Sequence, residues 1–434
     1  MAVVGALAAC METEEVAPTD PAAPDAGATT EAQGDAARPP LPEGPDAAEP
    51  EPDAGPPFVL QPADVNHVLS TGQSLSVGAV GTPPLSTTQP FENLRFVTGV
   101  LAGGTGLTSL VPLLETNVET MSSGLANLVT ELGVPAGHRL LVSCHGVGGT
   151  AYAGLKKGTT PYTNGLAQVK AARDLTKADG RSYLVRVVTN VHGESDHIAG
   201  NAGYLADLVT WQRDYETDVQ ALTGQTLPVP MLHTQMSSWT KYGQATSAIP
   251  GMQLAAHVEN PGKIVLVGAK YHLAYVADGV HLTNAGYRHM GEYYAKVYRR
   301  VVLEGKAWEP VRPKSATLAA DEIRVEFHVP VPPLAIDTAL VPAAAAYGFE
   351  YTDGSASPPA ITSVTLDGPT AVKVKLAAVP VGANKRIRYA FTGTPNAAGG
   401  GATGPRGNLR DSDATPSRSG QKLYNWAVHF DQPL

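Results

Sequence analysis

Between residues 65 and 303 the sequence alternates strand-length apolar runs with helix-length segments, and this order limits the folds open to the chain. The apolar runs of strand length lie at residues 65–71, 138–144, 183–191, 228–236 and 263–268. Helical periodicity covers approximately residues 116–132, 164–178, 203–222 and 284–303. Strands that alternate with helices of ten or more residues predict a parallel sheet with helices on both faces.

From about residue 308 onward the helical periodicity disappears. Four runs of strand length follow, at residues 322–329, 360–366, 370–376 and 385–391, with Pro and Gly clusters between them. This pattern predicts that residues 310–434 form a small all-β, sandwich-like accessory domain. Within it, residues 395–419 are rich in Gly, Ser and Pro, which predicts a long surface loop.

Residues 11–57 differ in composition from the rest of the chain. They contain 12 acidic residues, 11 prolines and a single basic residue, Arg38. Such a segment cannot bury a core, so we predict a disordered tether. The rest of the chain holds 28 acidic and 30 basic residues without a basic cluster. That balance argues against nucleic acid as a partner.

Residues 1–10 read MAVVGALAAC and resemble the lipobox of bacterial lipoproteins, whose cysteine is lipidated. The resemblance implies a signal segment at residues 1–10 and a lipid anchor on Cys10. The protein would then be attached to a membrane of the bacterial cell envelope, facing the periplasm or the exterior. No Lys or Arg precedes the apolar run, so either the true start lies upstream of Met1 or the match is accidental. The other cysteine, Cys144, is expected to be a small buried hydrophobe.

The first segment with catalytic potential is Gly72-Gln73-Ser74, which directly follows the first predicted strand. A serine on a tight turn before a helix N-terminus can act as a nucleophile, although it can equally cap the helix. The second segment, Gly148-Gly149-Thr150, follows the second strand. Its glycines allow backbone N–H groups to approach an oxyanion, and the alternative is an ordinary turn.

The third segment, His192-Gly193-Glu194-Ser195-Asp196, ends an apolar strand and is expected to be partly buried. We expect Glu194 to fix this loop by accepting hydrogen bonds. The fourth segment is Asp278-Gly279-Val280-His281. A carboxylate three residues before a histidine can hold the imidazole while the ring takes a proton from serine. A metal pair is the alternative, but no zinc-like ligand spacing accompanies it.

These four segments, in this order, resemble the SGNH/GDSL hydrolases, especially the sialate O-acetylesterase-like and acetylxylan-type carbohydrate esterases. The resemblance covers residues 65–303 and implies a flavodoxin-like three-layer α/β fold for an esterase domain at residues 58–305. It also implies the following site, which needs no metal or organic cofactor. The triad would be Ser74, Asp278 and His281, the oxyanion hole Ser74 with Gly148 or Gly149 and a third donor, and the supporting residues Gln73, Glu194 and Asp196.

The third oxyanion donor stays open at this point. The resembling esterases typically have Gln where this chain has His192, and a neutral histidine donates from one nitrogen only. In the broader SGNH pattern the donor aligns instead with Ser195.

The resemblance implies a carboxylic ester hydrolase that removes O-acetyl or other short acyl groups from carbohydrate through an acyl-enzyme. Tyr152, Tyr162 and Trp239 lie near the motifs and either stack on sugar rings or pack in the core. A short-chain lipid or aryl ester is the alternative substrate. A hypothesis from a different class is a surface lipoprotein that binds glycan through its β-rich domain and has an inactive hydrolase domain.

Overall fold

The structure, a computed structural model, describes residues 58–434, which lie within one compact unit. The predicted signal segment, the lipid anchor on Cys10 and the tether at residues 11–57 lie outside the described residues. No helix in residues 58–434 has the length and apolar character needed to cross a membrane.

Residues 58–303 contain the predicted alternation of strands and helices. The strands are β1 (Val65–Gly72), β2 (Leu94–Phe96), β3 (Leu110–Pro112), β4 (Arg139–Cys144), β5 (Tyr183–Val191), β6 (Met231–Gln235) and β7 (Ile264–Ala269). The helices are α1 (Met121–Glu131), α2 (Thr160–Ala178), α3 (Glu194–Ile198), α4 (Tyr204–Thr223), α5 (Ile249–Glu259) and α6 (Asn284–Tyr298). Helix α6 continues as a π-helical turn, Arg299–Leu303.

The seven strands form one sheet in the order β3-β2-β4-β1-β5-β6-β7. All pairs are parallel except β2 with β3. Without the two short edge strands, the order is that of flavodoxin-like folds, in which the carboxyl ends of the strands around the reversal point carry the site. The predicted three-layer α/β fold is therefore confirmed.

The central strand β1 is buried on both faces along its whole length, and its polar side chains, such as Asn66 and His67, are buried with its apolar ones. Val68 packs with residues of α1 and α6, whereas Leu69 packs with residues of α2, α4 and α5 on the other face. Helices α1 and α6 approach closely because Gly124 and Gly291 leave no room for a side chain between their backbones.

The C-terminal region consists of antiparallel sheets, as predicted. Its strands are β8 (Arg312–Ala319), β9 (Glu322–His328), β10 (Ala335–Ile336), β11 (Phe349–Thr352), β12 (Ile361–Leu366), β13 (Ala371–Leu376), β14 (Arg386–Tyr389), β15 (Leu409–Arg410) and β16 (Phe430–Pro433). They form sheets of four (β12-β13-β9-β8), three (β11-β14-β16) and two (β10-β15) strands.

The C-terminal sheets share hydrogen bonds with the α/β part. The Gln235 side chain at the end of β6 donates to the His429 carbonyl at 2.9 Å and accepts from the His429 N–H at 2.8 Å. The division into domains at residues 58–305 and 310–434 stays a prediction.

One expectation from the sequence was wrong, and one helix was not predicted. Residues 395–419 are not a surface loop, because Gly399, Gly400 and Asp411 are among its buried residues. Glycines let this backbone approach its neighbours closely, which composition alone does not show. Helix α5 was missed because Pro250 and Gly251 resemble a turn signal, although Pro is tolerated in the first turn of a helix.

Candidate active site

The end of β1 brings Ser74 to the surface. Gly72 pairs in register with Val191 of β5 and has φ +126°, and a side chain on it would collide with the Val191 carbonyl. Ser74 is partly exposed, whereas the residues on either side of it, Gln73 and Leu75, are buried. The tight turn after β1 therefore presents one hydroxyl to solvent.

Three of the predicted residues are joined by hydrogen bonds. The Ser74 Oγ lies 2.8 Å from His281 Nε2, and His281 Nδ1 lies 2.7 Å from Asp278 Oδ2. Ser74 and His281 are 207 residues apart in the sequence, so only the fold brings them together. A hydroxyl, an imidazole and a carboxylate in this relay have the geometry of a nucleophile, a base and its orienting group.

The turn that carries Asp278 and His281 is held by its own backbone. Asp278 Oδ1 accepts from the N–H groups of Val280 at 2.8 Å and His281 at 2.9 Å, and Gly279 has φ +71°. Partial burial alone would raise the pKa of the Asp278 carboxyl, but the hydrogen bonds from His281 and Val280 outweigh it and lower that pKa. Asp278 is therefore a carboxylate at neutral pH.

The Gly148–Gly149 turn lies beside the serine. A Cβ on Gly148 would be 3.8 Å from the Ser74 Cβ, and the Val147 N–H donates to the Gly72 carbonyl at 3.0 Å. Within residues 58–434, neither the Ser74 nor the Gly148 N–H donates to a protein acceptor. Two unpartnered N–H groups next to a serine hydroxyl suit an oxyanion. The Gly149 N–H likewise has no acceptor in these residues, and Gly149 adopts φ +66° with no atom near its Cβ position.

His192 lies behind this turn and has both ring nitrogens engaged. Its Nε2 donates to the Thr150 carbonyl at 3.0 Å, so its Nδ1, 2.8 Å from the Tyr204 hydroxyl, is the acceptor. Burial lowers the pKa of His192, which keeps the ring neutral. In this arrangement His192 has no N–H left for an oxyanion, and it instead holds the Gly148–Thr150 turn in place.

Ser195 and Gln73 are placed together next to Ser74. The Ser195 N–H donates to Gln73 Oε1 at 3.0 Å, which connects the end of β5 to the turn after β1. Neither the Ser195 hydroxyl nor the Gln73 amide nitrogen bonds to another residue in the described part of the chain. Both groups are therefore available as hydrogen-bond donors to a substrate. The sequence had indicated Ser195 as a possible oxyanion donor and Gln73 only as a supporting residue.

Glu194 forms a buried ion pair that the sequence did not indicate. The Lys270 ammonium, just after β7, lies 2.9 Å from Glu194 Oε1, which also accepts from the Ser238 hydroxyl at 3.1 Å. Burial alone would raise the pKa of Glu194, but the charge and hydrogen bond of Lys270 lower it. Glu194 thus accepts hydrogen bonds as expected. Lys270 was missed because no motif surrounds a lysine at a strand end.

Asp196 ties two loops together. Its Oδ2 accepts from the Tyr152 N–H at 2.8 Å, and its Oδ1 accepts from the Asn201 side chain at 2.6 Å. His192 and Asp196 thereby hold consecutive parts of one segment, Thr150 and Tyr152. These contacts stabilise the loop that follows the Gly148–Gly149 turn.

The three aromatic residues near the motifs all lie in the core. Tyr152 packs edge-on against Trp211, Tyr162 packs against Tyr215, and Trp239 is 1 % exposed. Tyr242, which the sequence did not single out, is only partly buried. Burial raises the pKa of Tyr242, and the negative charges of Glu194 and Asp278 act in the same direction. The Tyr242 ring packs against His197, with the ring centroids 6.0 Å apart, and its partial exposure makes it a candidate for contact with substrate.

Comparisons with known proteins support the fold. Neither protein-family models nor curated proteins match this sequence. Among solved structures, a carbohydrate acetylesterase from Xanthomonas citri is similar at 16 % identity and TM-score 0.55, over 85 % of this chain and 80 % of that one. A protein from Arabidopsis thaliana is similar at 17 % identity and TM-score 0.43, over 55 % of this chain and 98 % of that one. A carbohydrate acetylesterase from Sinorhizobium meliloti has 13 % identity and TM-score 0.31, over 54 % and 97 %.

The likeness to the Xanthomonas citri structure extends over most of both chains. It confirms that the chain has the α/β fold predicted from its resemblance to SGNH hydrolases. At this identity the likeness concerns the fold, and any activity rests on the site itself.

Proposed function

We propose that this protein is a serine esterase that removes O-acetyl or other short acyl groups from carbohydrate. The observation that carries the proposal is the relay from Ser74 Oγ through His281 to Asp278, with hydrogen bonds of 2.8 and 2.7 Å. The fold likeness to a carbohydrate acetylesterase from Xanthomonas citri supports the same reaction class.

In the proposed reaction His281 Nε2 takes the proton of Ser74 as the oxygen attacks the ester carbonyl. Asp278 accepts from Nδ1–H and stabilises the imidazolium that forms. The protonated His281 then donates to the departing alcohol, which leaves an acyl-enzyme on Ser74. A water molecule, deprotonated by His281, attacks this ester and releases the carboxylic acid and the free serine.

The tetrahedral oxyanion is stabilised by the N–H groups of Ser74 and of Gly148 or Gly149, none of which has an acceptor in residues 58–434. We assign the third donor to the hydroxyl of Ser195. The Ser195 backbone is tied to Gln73, the neighbour of the nucleophile, at 3.0 Å. Losing one such donor typically costs about 2.7–4 kcal/mol of barrier.

A carbohydrate substrate fits the exposure of the site. The side chains of His281 and Asp278 are 22 % and 41 % exposed, so the relay opens on the surface rather than at the end of a deep tunnel. Acetyl groups that project from a polymer can reach such a site. Tyr242, which is partly exposed, offers an aromatic face for the sugar ring. Anchoring through Cys10 to a bacterial membrane is part of this proposal and would expose the enzyme to extracellular polymers.

The test is acetate release by the purified protein from acetylated xylo-oligosaccharides, compared with hydrolysis of p-nitrophenyl acetate. Ser74→Ala is expected to lower kcat by roughly 10⁴-fold or more, with an unchanged melting temperature as the control for folding. Near-normal turnover in Ser74→Ala would falsify the mechanism. Activity on p-nitrophenyl acetate alone indicates an aryl or lipid esterase. Glycan binding without turnover indicates an inactive hydrolase.

A further inference from the structure

A short segment of the C-terminal region lies directly on the turn that carries Asp278 and His281. This segment, residues 396–400, lies between β14 and β15, and we call it the clamp loop. The Gly399 N–H donates to the Gly279 carbonyl at 2.8 Å. A Cβ on Gly279 would be 2.5 Å from the Ala398 Cα, so the two backbones are in close contact.

Gly399 lies in close contact with three residues of the α/β part. A Cβ there would lie 2.7 Å from the Gly279 carbonyl oxygen, 3.2 Å from the Ser238 Cβ and 3.2 Å from the Tyr275 ring. Ser238 in turn donates to Glu194 at 3.1 Å. The clamp loop therefore touches both the turn of the relay and the residue that holds the buried Glu194. Only glycine fits at this position.

The clamp loop is itself fixed to the α/β part. The Asn396 N–H donates to the Thr240 carbonyl at 2.7 Å, and the Thr240 hydroxyl donates to the Ala397 carbonyl at 2.9 Å. Thr240 is fully buried in the short helical turn Trp239–Tyr242, which Ser238 directly precedes. These bonds set the distance between the clamp loop and the Asp278 turn.

We propose that the clamp loop positions Asp278 and His281 for the reaction, so that the C-terminal region is part of the active site rather than an independent accessory domain. The inference rests on the proposed esterase function. Asp278 is 41 % exposed on its side chain, and within the described residues its own turn supplies its hydrogen bonds. The contact of Gly399 with the Gly279 carbonyl is what holds that turn from outside.

The physical reason is that proton transfer requires tight geometry. A misplacement of about 1 Å can cost roughly 100-fold in rate even when substrate binding is unchanged. Because Gly279 lies between Asp278 and His281, a shift of its carbonyl distorts the turn and changes both the His281–Asp278 and the His281–Ser74 distances. The expected effect is thus on kcat and on the reactivity of Ser74, with little change in KM.

The primary variant is Gly399→Ala, whose new methyl group would push against the Gly279 carbonyl. We expect kcat for p-nitrophenyl acetate to fall by about 10- to 100-fold with KM within about twofold of wild type. Inactivation by a fluorophosphonate, which reports on Ser74 directly, should slow by a similar factor. Gly401→Ala is the matched control, because its nearest neighbours are the Tyr271 carbonyl oxygen at 3.3 Å and Val341 at 3.7 Å.

A milder pair of variants covers the case in which Gly399→Ala does not fold. Thr240→Val keeps the size of the buried side chain but removes the hydroxyl that binds the Ala397 carbonyl, and it should lower kcat. Thr240→Ser keeps the hydroxyl and should restore the wild-type rate. The low-field proton resonance of the His281–Asp278 hydrogen bond should weaken or shift in Gly399→Ala and Thr240→Val only.

The proposal is overturned if folded Gly399→Ala and Thr240→Val keep the wild-type kcat, inactivation rate and low-field resonance. An equal loss in Gly401→Ala would also overturn it, because the effect would then be general to the region. A wild-type protein without esterase or fluorophosphonate reactivity contradicts the proposed function instead. In that case the low-field resonance still reports whether the clamp loop positions the turn.

Discussion

Two histidine–aspartate pairs lie at the same edge of the sheet, and they differ in what their second ring nitrogen does. In the first pair His281 Nδ1 is 2.7 Å from Asp278, and Nε2 faces Ser74. In the second pair His192 Nε2 is 3.5 Å from Asp196, and both ring nitrogens are engaged by Thr150 and Tyr204.

Their exposure differs as well. The His281 and Asp278 side chains are 22 % and 41 % exposed, whereas those of His192 and Asp196 are 0 % and 2 % exposed. A buried histidine with satisfied nitrogens rigidifies its surroundings, but it cannot exchange a proton with a substrate. The comparison shows that residue type and spacing do not distinguish a proton carrier from a structural histidine. The distinction lies in the partner of the second ring nitrogen, which for His281 is the partly exposed Ser74 hydroxyl, and in the exposure of the ring to solvent.

The largest difference should come from changing the two aspartates. Asp278→Asn should lower kcat by about 10⁴-fold, because an amide no longer holds the required tautomer of His281. Asp196→Asn should instead lower the melting temperature, with a kcat loss of less than about tenfold, since the partners of Asp196 are the Tyr152 N–H, Asn201 and His192, and none of them transfers a proton in the proposed reaction. Steady-state kinetics and thermal melts of both variants measure this, and equal kcat losses would remove the distinction between the pairs.

The next effect separates the two possible third donors. Ser195→Ala should lower kcat by about 10²- to 10³-fold with a small change in KM. His192→Gln should stay within about tenfold of wild type, because an amide can still donate to the Thr150 carbonyl. Kinetics on p-nitrophenyl acetate measures both. A severe loss in His192→Gln together with a normal Ser195→Ala would return the donor role to His192.

The buried histidines should make the stability of the folded protein fall as the pH is lowered. Burial lowers the pKa of His67, His145 and His233 from 6.5 to about 3. Because the folded pKa is lowered, the stability linked to each ring is complete above pH 6.5 and is lost as pH falls towards the folded pKa. At about pH 5 each such histidine costs about 2 kcal/mol relative to about pH 7.

Urea unfolding at about pH 7 and about pH 5 measures this loss. His233 is the residue to change, because its ring nitrogens have no partner in the described part of the chain. His233→Leu should reduce the pH dependence of the free energy of unfolding by the contribution of one histidine. A free energy of unfolding that is the same at both pH values would show that these rings are not buried and neutral.

The smallest expected effect is on substrate binding by Tyr242. Tyr242→Ala should raise KM for an acetylated oligosaccharide by about three- to tenfold, which corresponds to an aromatic contact of about 0.5–1.5 kcal/mol. KM for p-nitrophenyl acetate should not change, and Tyr242→Phe should behave as wild type. An equal rise for both substrates would place Tyr242 outside the sugar-binding surface.

The sheet could be predicted well because its strands carry a local signal. Strand β5 has the predicted bounds, Tyr183–Val191, and β7 is displaced by one residue. Helix α1 begins at Met121 rather than at residue 116, because Thr120 caps it by accepting from the Ser122 N–H. Helix α5 was missed since a proline in a first helical turn looks like a turn signal when seen without its tertiary context.

The site could be predicted in part. Ser74 lies in one short contiguous motif, and Asp278 and His281 share another, so the sequence alone displays the residue types of the relay. Lys270 and the clamp loop have no local motif. The role of Lys270 depends on its ion pair with Glu194, 76 residues away in the sequence. The role of Gly399 depends on its hydrogen bond to the Gly279 carbonyl.

The order of strands and helices, the antiparallel C-terminal region and the residue types of the relay could be read from the linear sequence, because they depend on periodicity and on short motifs. The tertiary fold was needed to show that His281 Nε2 faces the Ser74 hydroxyl, whereas both ring nitrogens of His192 bind Thr150 and Tyr204. It also decided that residues 396–400 are packed against the Asp278 turn rather than exposed. Both depend on which groups distant in the chain are brought within hydrogen-bond distance, and a linear pattern does not contain that information.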